Sequence, residues 1–319
     1  MAFVWMRRSL LAAACASVAL LAACGSSTVD SAITPQRVVV FGDAVADTGQ
    51  KGSAYTVNAT DGSLLNWTTQ FASNWGLSAK PVSQGGLNYA QGNARINATP
   101  DAAGNASTPT VTAQIDSFLA SQKFGSAEFV LVNAGTADLI AGMAAVQAGQ
   151  LSSADYQAQA RQWGEALAAQ VIRMVNAGAQ HVVISGVYNL GKTPWATAIG
   201  QTGVLEAAST AFNTGLKVSL KDQGKQVQYV DLELYVNAYV NAPGSYGFDN
   251  ATTPVCNSVD ANNGIGIGTY QVNSALCTPS TLLAGADYNR YVFADAVYLT
   301  PNAQRQFGTY AVSMVRNRW

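Results

Sequence analysis

The chain has 319 residues, 49% of them hydrophobic and only 11% charged, with a formal net charge of −1. That length fits two domains or one large α/β domain, and the apolar content is enough for a sizeable core. Seventeen Lys and Arg face eighteen Asp and Glu with no basic stripe, which argues against a nucleic-acid partner.

The N-terminus reads as a targeting leader. Arg7 and Arg8 precede an apolar run, 10–21, that is short for a membrane span and ends in Leu21-Ala22-Ala23-Cys24. This resembles a bacterial lipoprotein signal. The resemblance implies cleavage before Cys24, a lipid on its thiol and, with Gly25 following, an outer-membrane destination. The other reading is an ordinary secretory signal with a coincidental Cys. On the lipoprotein reading, 1–23 is the signal, 24–36 a Ser/Thr-rich tether and 37–319 a single domain. Cys15 leaves with the leader and Cys24 takes the lipid, so Cys256 and Cys277 remain. In an oxidising compartment they read as a disulfide closing a Gly/Asn-rich loop. Two thiols without a nearby His make a poor metal site, and no cofactor is expected.

In chain order, 37–41 reads as a buried strand that breaks at Gly42-Asp43 into a tight turn and a helix start. The polar stretch 50–63 reads as a surface loop. A helix is predicted over 66–75, where Trp67, Phe71 and Trp75 recur at core-packing spacing. A short strand follows near 80–82, then a Gly-rich loop, then a second polar loop over 96–110. Val111, Ile115, Phe118 and Leu119 share one face of a helix over 111–122, and 128–133 is a strand. The longest helix spans 152–178, with Ser153 as N-cap and Gly178 as its stop. His181, the only His, opens a strand over 182–187. It lies at the end opposite the ligand-binding edge of a parallel sheet, which marks it as a surface or capping residue. A helix over 204–220, a strand over 226–230, a helix over 232–240, an irregular stretch over 241–276 and a closing helix over 302–316 complete the pattern. Strands alternating with helices predict an α/β three-layer sandwich around a parallel sheet.

Four stretches, in order and plausibly spaced, resemble the SGNH (GDSL-type) esterases and lipases, in their long autotransporter-like bacterial branch. Phe41-Gly42-Asp43-Ala44 with Asp47-Thr48-Gly49 resembles block I, where the residue after Gly-Asp is the nucleophilic Ser; here it is Ala44. Asn88-Tyr89-Ala90-Gln91-Gly92-Asn93-Ala94-Arg95 resembles block II. Asn93 stands at the Gly whose backbone N–H serves the oxyanion hole, and Asn tolerates positive φ. Gly135-Thr136-Ala137-Asp138 resembles block III, with Ala137 in place of the oxyanion-donating Asn. Phe293-Ala294-Asp295 with Tyr298-Leu299-Thr300-Pro301 resembles block V. Asp295 is its triad acid, and Tyr298 stands where the base His belongs. The resemblance implies a five-stranded parallel sheet in the flavodoxin-like order 2-1-3-4-5, an acyl-ester or lipid-like partner and no cofactor. It also implies that Ala44, Asn93, Ala137, Asp295 and Tyr298 converge at the C-terminal edge of the sheet.

The departures carry chemical weight. The Ala44 methyl cannot form an acyl intermediate. Tyr298, with a reference pKa of about 10, is a poor base at neutral pH. It is expected to fill the His volume and hydrogen-bond Asp295, keeping a buried carboxylate paired. Loss of a nucleophile or base costs about 10⁶ in rate, and of one oxyanion donor about 10²–10³, non-additively. Three functions stay open. One is an inactive SGNH scaffold retaining an acyl-ester cleft. Another is an active or formerly active carboxylesterase or lipase whose catalytic residues were replaced. The third is a structural envelope lipoprotein. The intact flanks Gly42-Asp43, Asp47-Thr48-Gly49, Asp138-Leu139 and Thr300-Pro301 favour replacement or recent loss over long drift.

Overall fold

The β-branched run after Arg37 forms β1 (Arg37–Gly42), buried from Val38 onward. In the computed structural model, which describes residues 33–319, β1 begins a parallel sheet. The expected signal, Cys24 and most of the tether lie outside the described residues. β1 pairs with β2 (Glu128–Asn133), β2 with β3 (Val182–Ser185) and β3 with β4 (Val227–Tyr229), all parallel. Val40 faces Leu131, Leu131 faces Val183 and Val183 faces Gln228 across the sheet. Near-continuous burial along these strands is what a sheet covered on both faces requires.

Five strands were expected, and the regular sheet has four. At 80–82 the chain instead runs through Pro81 into a single 3₁₀ turn, Val82–Gln84. Pro81 has no N–H to give to a ladder. The edge beside β1 is taken a few residues later. The Val40 N–H donates to the Leu87 carbonyl (3.0 Å), Tyr89 N–H to Val40 (2.8 Å) and Gln91 N–H to Gly42 (3.2 Å). This edge segment runs parallel to β1, as an isolated bridge at Asn88. It occupies the side of β1 where the order 2-1-3-4-5 puts its second strand.

Among the described residues the α-helices are α1 (Trp67–Ser73), α2 (Val111–Ser121), α3 (Thr136–Gln147), α4 (Ser153–Asn176), α5 (Pro194–Ala198), α6 (Thr202–Ser219), α7 (Leu232–Asn241) and α8 (Pro301–Arg316). On one face of the sheet, Phe71 of α1 and the following Trp75 pack on Phe129 of β2, with ring centroids 5.2 and 5.4 Å away. α8 lies beside α1 through Trp67 and Phe307 (5.5 Å), and α7 beside α8 through Tyr235 stacked on Tyr310 (4.3 Å). On the other face, Phe118 of α2 meets Phe41 of β1 edge-on at 5.7 Å. Asp116 of α2 pairs with Arg173 of α4, and α4 packs along α6. No described helix is long and apolar enough to cross a membrane.

Several boundaries differ from the sequence reading. Ser152, not Ser153, caps α4, its side chain accepting from the Asp155 N–H. After Asp43 the chain makes one turn, and the first helix waits until Trp67. The 50–63 stretch is no plain surface loop, because Ala54, Thr56 and Val57 are buried. The irregular 241–276 stretch contains a short antiparallel pair, β5 (Val259–Asp260) with β6 (Gln271–Val272). As expected, Cys256 and Cys277 are joined in a disulfide.

Candidate active site

The C-terminal ends of β1 and β2 come so close that a Cβ at Gly42 would fall 1.9 Å from the Asn133 carbonyl oxygen. Only glycine fits there, and the next residue is free to turn. The Asp43 N–H donates to the Asn133 carbonyl at 3.0 Å. Its carboxylate Oδ2 accepts from the Gly135 N–H (3.0 Å) and Ala137 N–H (3.4 Å), and Oδ1 from Val45 (3.2 Å). Asp43 therefore clamps the turn carrying Ala44 to the turn carrying Ala137. Burial pushes its carboxyl up to about 7, against the pull of the Val45 and Ala137 amides.

Two further acids complete the frame. Asp47 accepts from Gly92 N–H through Oδ2 and from Gly49 and Gln50 through Oδ1, each at 2.8 Å. Burial pushes it up to about 6. Asp138 accepts from Ile96 N–H at 3.0 Å and lies 3.5 Å from the Arg95 guanidinium. Burial raises it to about 6 despite that cation. The turns after β1 and β2 and the loop of Gly92 and Asn93 are thus held together by carboxylates bonded to main-chain amides.

Asp295 lies in a tight turn closed by the Ala294 N–H on the Tyr298 carbonyl (2.8 Å). Its Oδ1 accepts from the Val297 (2.8 Å) and Tyr298 (2.7 Å) amides, and Oδ2 from Ser274 (2.9 Å). Burial raises its pKa. The Tyr188 hydroxyl, in the turn after β3, donates to the Val297 carbonyl at 2.7 Å and anchors this turn to the sheet edge.

The expected hydrogen bond from the Tyr298 phenol to Asp295 is not made. The link is through the Tyr298 backbone, because the Asp295 turn satisfies its carboxylate with amides. The phenol oxygen has no hydrogen-bond partner among the described residues. Its ring instead meets Tyr55 edge-on at 5.3 Å. Tyr55 in turn packs against Gly92, where a Cβ would fall 1.9 Å from its ring. Asn93 adopts φ 63°, the left-handed conformation its side chain tolerates. Its amide donates to the Gly264 carbonyl (2.8 Å) and to the Tyr55 hydroxyl (3.4 Å).

All five expected positions therefore gather at one edge, joined by Asp43 to Ala137, Asp47 to Gly92, and Tyr55 to both Asn93 and Tyr298. They are also closed off. Exposure is 1% at Ala44, 5% at Asn93, 0% at Ala137 and Asp295, and 1% at Tyr298. Burial holds the Tyr298 phenol well above its usual range, with nearby Asp43 adding to the effect, so it stays protonated and cannot take a proton. A cavity of about 310 Å³ adjoins Thr48, Ser53, Asn58, Leu65 and Asn66, and one of about 210 Å³ shares Thr48, Leu64 and Thr69 with it. A cavity of about 520 Å³ lies at the opposite edge, against His181, Lys225 and Trp319. His181 is 5.0 Å from the Trp319 ring, and its partial burial lowers its pKa. Its ring contacts among the described residues are with Phe129 and Trp319.

Tyr55 and Tyr188 were missed from sequence. Tyr55 sits in a polar loop with no periodicity. Tyr188 could have been singled out as the aromatic closing a buried strand at the site edge. Among the described residues no group of three or more His, Cys, Asp or Glu is placed to hold a metal.

A profile of the GDSL-like Lipase/Acylhydrolase family matches residues 38–310. No curated protein matches the chain.

Proposed function

Because the chain belongs to the GDSL-like lipase/acylhydrolase family, we propose that it is a catalytically silent member whose ligand class is the acyl esters and lipids of that family. The observation that carries this reading is the pair of buried side chains at Ala44 and Tyr298. Ester cleavage by this mechanism needs a hydroxyl to attack, a base to take its proton and donors aimed at the oxyanion. Ala44 offers a methyl. Tyr298 offers a phenol that stays protonated. Ala137 offers no side-chain donor, and its amide is turned to Asp43. On this reading Asp295 is a triad acid without a base, and the Asn93 backbone keeps the oxyanion position.

A specific observation favours recent loss or replacement of catalytic residues over long drift. The carboxylates Asp43, Asp47, Asp138 and Asp295 still bond the same turns that would present the missing groups. The unmodified chain should hydrolyse p-nitrophenyl acetate, butyrate and octanoate at the rate of buffer, and a fluorophosphonate probe should leave it unlabelled. Turnover above background with covalent labelling would refute silence. A shift in melting temperature on adding medium-chain acyl esters would separate a ligand-binding scaffold from a purely structural envelope protein. The leader further supports export and anchoring at Cys24, with the domain facing the periplasm or the cell surface. Cys24→Ser should release the protein from the membrane fraction, and unchanged fractionation would contradict the anchor.

A further inference from the structure

Asp295 is held from two sides, and those sides are the two ends of one disulfide. On the first side, the chain through Cys256 runs beside the stretch that enters the Asp295 turn. The Val255 N–H donates to the Phe293 carbonyl and the Cys256 N–H to the Ala294 carbonyl, each at 3.0 Å. On the second side, the 3₁₀ turn Ser274–Leu276 leads into Cys277, and its first amide donates to Asp295 Oδ2 at 2.9 Å. The Cys256–Cys277 bond joins the two sides directly. Both cysteines are buried in a small apolar cluster with Val57, Val255 and Ala294, the residue before Asp295.

The same segment reaches the rest of the candidate site. The Gly264 carbonyl accepts from the Asn93 side-chain amide at 2.8 Å. At Gly266 the backbone comes so close to Ile140 and Ala102 that a Cβ would be 2.9 Å from each. The Cys277 carbonyl accepts from the Asn58 N–H at 2.8 Å. Asn58 in turn closes the bend that carries Tyr55, accepting from the Ala54 N–H (2.8 Å) and donating to the Ala54 carbonyl (2.9 Å). Between its cysteines the segment has little regular structure, the two-residue strands β5 and β6 and the 3₁₀ turn. Ordering such a stretch is costly in conformational entropy, and the covalent link offsets part of that cost. Among the described residues no hydrogen bond joins 256–277 to the four-stranded sheet.

We propose that the Cys256–Cys277 disulfide is a positioning clamp: its formation sets Asp295 and Asn93 in place, so the candidate site is assembled only in the oxidised chain. Two thiols give two electrons and two protons to a disulfide oxidant, which leaves as a dithiol as the S–S bond forms. The sheet takes no part in the bond and folds in the reduced chain as well. Burial keeps dissolved thiols from the sulfurs, so the clamp is set once, during folding, rather than cycled. The inference rests on reading this sheet edge as the site. It requires neither hydrolysis nor an acyl ligand, so it and the silent-enzyme reading can fail separately.

The test is hydrogen exchange, read peptide by peptide, on the full chain and on Cys256→Ala with Cys277→Ala, both checked for folding by circular dichroism. Alanine keeps the surrounding cluster apolar. Peptides covering 88–95 and 291–300 should exchange about tenfold faster or more in the variant, while 128–133 and 153–176 keep their rates, as a local opening requires. Val171→Ala, buried in α4, should lower the melting temperature without selectively speeding the site peptides. That comparison separates positioning from general loss of stability. Should the double variant fail to fold, the unmodified chain refolded under a phosphine reductant gives the same comparison. Site peptides that exchange alike with and without the bond, or an acceleration spread evenly along the chain, would overturn the proposal.

Discussion

Asp43, Asp47 and Asp138 share one electrostatic circumstance, a carboxyl group removed from water and bonded mainly to backbone amides. Burial raises all three, to about 7, 6 and 6, from the ordinary aspartate value of 3.8. These three groups therefore bind more protons in the folded than in the unfolded chain between about pH 4 and 7; His181, lowered by partial burial, works the other way as one group against three, so stability should fall as pH rises through that window. The loss from pH 4.5 to pH 8 should be on the order of a few kcal/mol, since one pKa unit is about 1.4 kcal/mol. The carboxylates shifted the other way, such as Asp249 and Asp260, are exposed and titrate below this window. Urea denaturation at pH 4.5, 6 and 8 checks it: the midpoint should decrease with pH, and Asp43→Asn should flatten the trend. At the neighbouring Gly92, the Tyr55 ring leaves no room for a methyl group. Gly92→Ala should cost roughly 1–3 kcal/mol by overpacking, read in the same denaturation experiment. These residues were legible in unequal measure. The motif letters pointed to the blocks, but not to what the acids do within them, because a hydrogen bond that Asp43 accepts from an amide 92 residues away leaves no local pattern.

At the scale of elements, periodicity identified what it could. The stripe from Tyr156 to Met174 gave α4, and the β-branched runs gave β1 and β2. It failed for α3, whose Thr-Ala-Asp-Leu-Ile-Ala-Gly-Met-Ala-Ala sequence has few polar residues to outline a face, and which follows a left-handed Gly135. It misplaced the edge strand because Pro81 reads as part of an apolar run while lacking the amide a ladder needs. The disulfide followed from cysteine bookkeeping. That the segment it closes bonds to Asn93 through Gly264 and to Asp295 through Ser274 did not, because these are hydrogen bonds between distant residues. Cys256→Ser with Cys277→Ser should lower stability by about 3 kcal/mol in the chain-entropy account of a loop of this size. It should also raise chymotrypsin cleavage at Tyr270, where the backbone is already in a costly conformation. Unchanged denaturation midpoints would show that the loop holds itself.

At the scale of the whole molecule, four separated segments meet at one edge of a parallel sheet, tied there by buried carboxylates bonded to main-chain amides. If the chain is silent, as proposed, the cause lies in a few side chains, Ala44, Ala137 and Tyr298, rather than in the fold. The measurement that tests it most directly is ester hydrolysis by the unmodified chain and three rebuilt variants, with each one's fold checked by circular dichroism. Ala44→Ser alone should stay near background, because a serine without a base is a weak nucleophile. Adding Tyr298→His supplies a base beside Asp295, whose Oδ2 accepts one amide hydrogen bond, from Ser274, and has a lone pair to spare. That change also withdraws the phenol packed against Tyr55. Activity should first appear in this double variant. Adding Ala137→Asn should raise turnover by about 10²–10³ if its amide reaches the oxyanion. Stepwise gain across the series is the predicted result; a triple variant that folds yet remains at background, or an unmodified chain already active, would contradict it.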